Sequence, residues 1–178
     1  MNGLSNLEGL SSFVWAGSKL TIRENRGLTS LEGLDSLCTL RGLEVSRNPA
    51  SRSIGWAPGL YRVGESLHLK SNEVLADLAG LSELQWVAVD LVLEGNPSLE
   101  NLDDLSALTW VGGSLYIHGM EALVSLEGMA ALEVVGSNLF ISGNESLCQS
   151  DAEAFGAKLS VTGITTISDN GSARTDCL

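Results

Sequence analysis

Two hydrophobic spacings alternate along the chain and return together. Apolar residues two apart occur at Leu20/Ile22, Leu43/Val45, Leu67/Leu69, Leu91/Leu93, Leu115/Ile117 and Leu139/Ile141. Period-two alternation containing β-branched residues predicts short strands that bury one face. A second column reads Leu7-Glu8-Gly9-Leu10, Leu31-Glu32-Gly33-Leu34, Leu78-Ala79-Gly80-Leu81, Leu102-Asp103-Asp104-Leu105 and Leu126-Glu127-Gly128-Met129, and a third is the Val-Gly pair at 63–64, 111–112 and 135–136. Glycines in these columns predict corners, where positive φ or close backbone approach is needed.

An asparagine follows each strand, at Asn25, Asn48, Asn72, Asn96, Asn144 and Asn170, with Met120 in the one missing place. The steps are 23, 24, 24, 24, 24 and 26 residues. A period in that range predicts a solenoid whose stacked rungs share a core that no single rung could bury. The expected fold is therefore mainly β, about six to seven rungs of about 24 residues, forming one domain over residues 1–178. Buried turn backbone needs hydrogen-bond partners, so the asparagines are expected to point inward and stack as a ladder. Asn144-Glu145-Ser146 and Asn170-Gly171-Ser172 match the glycosylation pattern, but ladder asparagines make poor acceptors.

Two stretches depart from the unit. Residues 49–59 lack the regular Leu-x-Gly-Leu segment and are expected to bulge as a loop, with Ile54 in the core and Trp56 and Pro58 nearby. Residues 148–178 are expected to cap the array. Ala152, Phe155 and Leu159 fall at helical spacing behind Asp151 and Glu153, predicting a short capping helix. Cys148 and Cys177 bracket this segment, where a disulfide would staple the last rung; two buried thiols are the alternative. A bridge there implies export, because cytosolic disulfides rarely persist. The chain as given starts inside the repeat and carries no export signal, as if a leader or earlier rungs were removed; an excised segment and a true start are equally open readings.

The string Val111-Gly112-Gly113-Ser114-Leu115-Tyr116-Ile117-His118-Gly119, followed by Leu123, Leu126, Gly128 and Met129, resembles the receptor L-domain, the leucine-rich-repeat-like β-helix of insulin- and EGF-receptor ectodomains. It looks most like the bacterial versions on exported proteins, and the likeness runs from Leu4 to Cys177. Ordinary leucine-rich repeats place leucine and asparagine differently; this chain has Val-x-x-x-Leu before the strand and Asn-x-x-Leu after it, as in Asn96-Pro97-Ser98-Leu99. The resemblance implies a right-handed β-solenoid, an extracellular or cell-surface location, and ligand contact through the exposed face of the main sheet.

Composition narrows the partners. A net charge of −12 repels nucleic acid and anionic lipid, and no stretch has the roughly 18 apolar residues of a membrane-spanning helix. No phosphate-cradling loop, nucleophile elbow, HExxH or calcium loop is present, so no catalytic residue, metal or cofactor is assigned. His68 and His118 fall on different columns two rungs apart, about 10 Å or more at strand spacing, and read as surface histidines. The acidic column Glu8, Glu32, Asp103 and Glu127 reads as a solvated face.

The outward strand positions are more suggestive. The first column runs Thr21, Glu44, His68, Val92, Tyr116 and Phe140, and the second Arg23, Ser46, Lys70, Glu94, His118 and Ser142. Val92, Tyr116 and Phe140 side by side either pair across strands or form an apolar binding patch, with Lys70, His68 and His118 around it. A further column holds Trp15, Thr39, Arg62, Trp86, Trp110 and Val134. The preferred reading has Trp86 and Trp110 filling a wide corner of the core; the alternative has them stacked as a platform for a sugar ring or a partner's side chain. The function that follows is non-catalytic recognition of a protein or glycan. A rigid spacer within a larger surface protein is the alternative, and a carbohydrate-active enzyme, which needs a carboxylate pair in a groove, a more distant one.

Overall fold

The computed structural model describes residues 3–37, 39–55 and 59–171, with the side chain of residue 16 not described. Trp56, Pro58, Cys38 and Cys177 lie outside the described residues. The fold is mainly β. Twelve strands join in one sheet in which every pairing is parallel. They are β1 (Trp15–Arg23), β2 (Thr39–Ser46), β3 (Arg62–Val63), β4 (Leu67–Lys70), β5 (Trp86–Val87), β6 (Leu91–Glu94), β7 (Trp110–Val111), β8 (Leu115–His118), β9 (Val134–Val135), β10 (Leu139–Ser142), β11 (Ser160–Val161) and β12 (Thr165–Ser168). The helix α1 spans Gln149–Lys158, and 3₁₀ turns span Glu8–Leu10, Ala79–Leu81, Asp103–Leu105 and Glu127–Met129. This arrangement is consistent with a β-solenoid.

The sheet has two columns. Four-residue strands β4, β6, β8, β10 and β12 stack on one side of a corner, and two-residue strands β3, β5, β7, β9 and β11 on the other. They meet at β2, which pairs with β3 through Leu40↔Val63 and with β4 from Leu43↔Leu67 onward. Residue numbering explains the merger. Val63 and Leu67 are separated by a three-residue corner, whereas only Arg41 and Gly42 separate Leu40 from Leu43. With one residue fewer, the chain runs straight through as a single strand of 8 residues.

Each repeat turns the same positions inward. Leu108, Val111, Leu115, Ile117, Met120, Leu123, Leu126 and Met129 are all at most 4% exposed. Each such side chain contributes about 1.5–3 kcal/mol of burial, but only because the next repeat covers it. At the chain's far end, α1 stands where earlier repeats have a 3₁₀ turn, and β11 and β12 then return to the two columns. The expected helix is thus present, but as one side of a further repeat rather than a terminal lid. Its Gly156 allows close contact, since a Cβ there would lie 2.6 Å from Ile167 Cδ1 and 3.2 Å from Leu139 Cδ2. Cys148 is buried at the helix N-cap.

The expected loop at 49–59 is corrected over its described part, residues 49–55. Ser53 forms parallel bridges with Ser30 and Asp77, and Ile54 is fully buried. The repeat therefore continues there without the leucine motif, because backbone pairing holds the register while one isoleucine fills the core.

The asparagines form the expected ladder. The Asn48 N–H donates to Asn72 Oδ1 at 3.2 Å and its Nδ2 to the Ile22 carbonyl at 3.0 Å; Asn72 repeats this toward Asn96 and the Val45 carbonyl. Asn144 and Asn170 bond the Ile117 and Ile141 carbonyls, and Gln149 of α1 closes the series by accepting from Asn170 Nδ2 at 3.0 Å. At Met120 no side-chain oxygen faces Asn96, whose Nδ2 lies 3.8 Å from Met120 Sδ. The residue before each ladder position has positive φ: Glu24, Arg47, Ser71, Gly95, Gly119, Gly143 and Asp169. The Val-Gly corners act differently, through close approach. A Cβ on Gly112 would sit 2.3 Å from the Ala88 carbonyl oxygen, and one on Gly136 2.2 Å from that of Gly112.

Candidate recognition surface

Strand alternation that buries Leu115 and Ile117 turns Tyr116 and His118 outward, and parallel register aligns them with neighbours. His68, Val92, Tyr116 and Phe140 lie in consecutive register, continued by Thr166; beside them run Lys70, Glu94, His118 and Ser142, continued by Ser168. The Tyr116 and Phe140 rings stack, with centroids 4.8 Å apart and planes 12° from parallel. A concavity of about 390 Å³ opens over them, lined by Lys70, Val92, Glu94, Tyr116, His118, Phe140 and Ser142.

Val92, expected on the exposed face, is only 7% exposed. It still points outward, but His68 and Tyr116 flank it in register and cover most of a small side chain. It forms the floor of the concavity rather than a contact of its own. The polar edge is internally arranged: Lys70 Nζ lies 3.0 Å from Glu94 Oε2, and His118 Nδ1 lies 2.9 Å from the Ser142 carbonyl oxygen and 3.1 Å from the Ser142 hydroxyl. His68 sits half-buried. Its pKa is lowered, first by burial and then by the charges of Lys19 and Lys70. Glu44, hydrogen-bonded to Lys19, has a lowered pKa mainly through that bond. His68 and His118 share no metal-ligand cluster, and none occurs among the described residues.

The tryptophan expectation is corrected. Trp86 is 38% exposed and Trp110 is partly exposed, so neither fills the core. Val87 and Val111 take the inward positions, and strand alternation puts the indoles outside. Their ring centroids are 4.7 Å apart at 87°, an edge-to-face contact, and the Arg62 guanidinium lies 4.4 Å from the Trp86 ring centroid. Together with Tyr61, Gln85 and Thr109 they line a groove of about 580 Å³. Trp110 lies against the backbone, since a Cβ on Gly112 would be 2.2 Å from its Cη2. Tyr61, Gln85 and Thr109 were not singled out by the sequence, yet the same 24-residue offset, counted one position before the tryptophans, connects them.

The predicted acidic column is exposed at Glu8, Glu32, Asp103 and Glu127, as a solvated face requires. No helix among the described residues is long and apolar enough to cross a membrane. Compared with protein-family profiles, curated proteins and solved structures, the chain gives no match.

Proposed function

We propose that this chain is a right-handed β-solenoid of the receptor L-domain type, about six to seven rungs long, acting outside the cytoplasm as a non-catalytic recognition module. It binds a protein or glycan through the strand face centred on Tyr116 and Phe140. The observation that carries this is the stacked ring pair beneath a concavity edged by Lys70, Glu94, His118 and Ser142. An apolar centre with a polar edge is the anatomy of a binding patch, and a rigid parallel sheet holds it with little ordering cost.

The export reading rests on Cys148, which is disulfide-bonded at the N-cap of α1. A Cys148–Cys177 bridge there would tie the C-terminal segment to the last repeat, and such bonds persist in oxidising compartments.

The test is a screen of the purified chain on a glycan array, in parallel with crosslinking to proteins from an extracellular extract. The proposal expects at least one saccharide or protein whose capture is lost when Tyr116 and Phe140 are both replaced by serine. Capture that survives the double replacement, or no capture in either arm, rejects it.

A further inference from the structure

We propose that the groove of Tyr61, Arg62, Gln85, Trp86, Thr109 and Trp110 is a second binding site, and that its ligand is a carboxylated saccharide of the hexuronic or sialic acid kind. The site lies on the short-strand column, so it is separate from the Tyr116–Phe140 face and does not depend on it.

Three observations converge on that chemistry. First, the shape: two indoles at 87° make a corner with one aromatic wall perpendicular to the other, bordering an open groove of about 580 Å³. That volume lies within the range of small-ligand sites, about 300–1,000 Å³. A pyranose ring has an apolar C–H face and a hydroxyl rim. The C–H face suits an indole wall, and the rim meets the Tyr61 hydroxyl, the Gln85 amide and Thr109.

Second, the charge. Lys19, Arg41, Arg47 and Lys70 each face a glutamate on an adjacent strand or turn. Arg62, like Arg23, Arg26, Arg52 and Lys158, makes no ion pair with a carboxylate among the described residues, but of these five it alone lines the aromatic groove. Its guanidinium is instead stacked 4.4 Å from the Trp86 ring centroid. In that position its fork of N–H donors stays open to a planar anion, the geometry in which arginine binds carboxylates bidentately. On a chain of net charge −12, a cation left unpaired inside an aromatic groove is complementary to a ligand carboxylate. A neutral sugar would leave it unused.

Third, the rigidity. Trp86 and Trp110 sit in register on paired strands, and Trp110 is seated against Gly112, where a Cβ would collide with its ring at 2.2 Å. Arg62 is in register with Trp86 on the next strand. The platform is therefore set by the backbone before any ligand arrives, which lowers the ordering cost of binding a small, hydroxylated molecule.

The experiment titrates the full chain with a panel of uronic-acid and sialic-acid oligosaccharides and matched neutral oligosaccharides, read by tryptophan emission and calorimetry. The expected result is binding of at least one carboxylated member, with its neutral counterpart at least tenfold weaker. Arg62→Gln is expected to remove that preference and Trp86→Leu to abolish binding, each with unchanged circular dichroism. Tyr116→Ser/Phe140→Ser is expected to leave it intact. Equal binding of acidic and neutral members overturns the proposal, as does binding lost in the Tyr116/Phe140 variant but kept in Trp86→Leu. No saccharide binding at millimolar concentration, or capture of an acidic protein through this groove instead, also overturns it.

Discussion

Replacing Asn72 with alanine tests whether the ladder holds the fold through hydrogen bonds or merely by occupying space. The substitution leaves three groups without their ladder partner, the Asn48 N–H (3.2 Å), an Asn48 Nδ2 hydrogen (3.4 Å) and the Val45 carbonyl (3.1 Å), and takes one of two donors from Asn96 Oδ1, which keeps the Asn72 N–H. Asn48, Val45 and Asn72 are all fully buried, so water cannot replace the lost partner without a rearrangement. An unsatisfied buried polar group costs about 1–3 kcal/mol. Weighting the long amide contact and the carbonyl, which keeps a second lone pair, toward the low end gives about 3–6 kcal/mol. That is a large part of the total stability of a single domain, about 5–15 kcal/mol. Asn144→Ala is the internal control. Its upstream neighbour is Met120, which has no amide, so the Met120 N–H (3.0 Å) and the Ile117 carbonyl (3.1 Å) lose their partner, while Asn170 Oδ1 loses the Asn144 Nδ2 bond (2.8 Å) but keeps the Asn144 N–H. The same reasoning gives about 2–4 kcal/mol. Urea unfolding followed by far-UV circular dichroism, with midpoints compared at a common slope, measures both. A smaller loss for Asn72→Ala than for Asn144→Ala, or a loss below about 1 kcal/mol for either, refutes the reasoning.

The remaining predictions concern the two surfaces. Gly112→Ala forces a Cβ into the Trp110 ring and the Ala88 carbonyl, so it is expected to shift tryptophan emission and destabilise by about 1–3 kcal/mol; Gly9→Ala, where nothing lies within 4 Å, should do neither. Because the folded state lowers the His68 pKa from 6.5, the unfolded chain takes up that proton first as pH falls, and stability drops from just above pH 6.5 down to the lowered folded value. His68→Gln should flatten the thermal-midpoint profile across that window, and an unchanged profile would show that burial of His68 carries no linkage. Gly119→Ala, at φ +61 with no close neighbour, should cost about 1–2 kcal/mol through backbone strain alone, whereas Ser71→Gly, at φ 54, should not destabilise by more than about 0.5 kcal/mol; thermal melts check both.

Much of the fold was legible because a parallel sheet built from repeated units writes its geometry into its period. The asparagine spacing set a register, and that register placed Tyr116 against Phe140 and Val92 against Tyr116, as the strand pairing has them. The sequence concealed features decided by neighbours in three dimensions. Trp86 and Trp110 are apolar and adjacent to a corner, and nothing in their identity says which side of the backbone they take. Gly112, two positions after Trp110, was the available sign, since a missing Cβ leaves a flat seat for an indole outside the core. Val92 reads as exposed by alternation yet is covered by larger neighbours. The positive-φ position before each asparagine went unseen because Glu24, Arg47, Ser71 and Asp169 occupy it as well as glycines. The single strand β2 follows from one absent residue at a corner, a signal that a period averaged over the whole chain hides.

The central claim is recognition through the strand face, and its most direct test is the affinity of the partner captured in the screen for the Tyr116→Ser/Phe140→Ser variant, measured by calorimetry beside a urea titration of the same protein. The account predicts at least a tenfold loss of affinity with a stability change of only about 1–3 kcal/mol, the worth of a stacked, half-exposed ring pair. Unchanged affinity, with the substitutions felt only in stability, would contradict it and leave the rings as cross-strand packing.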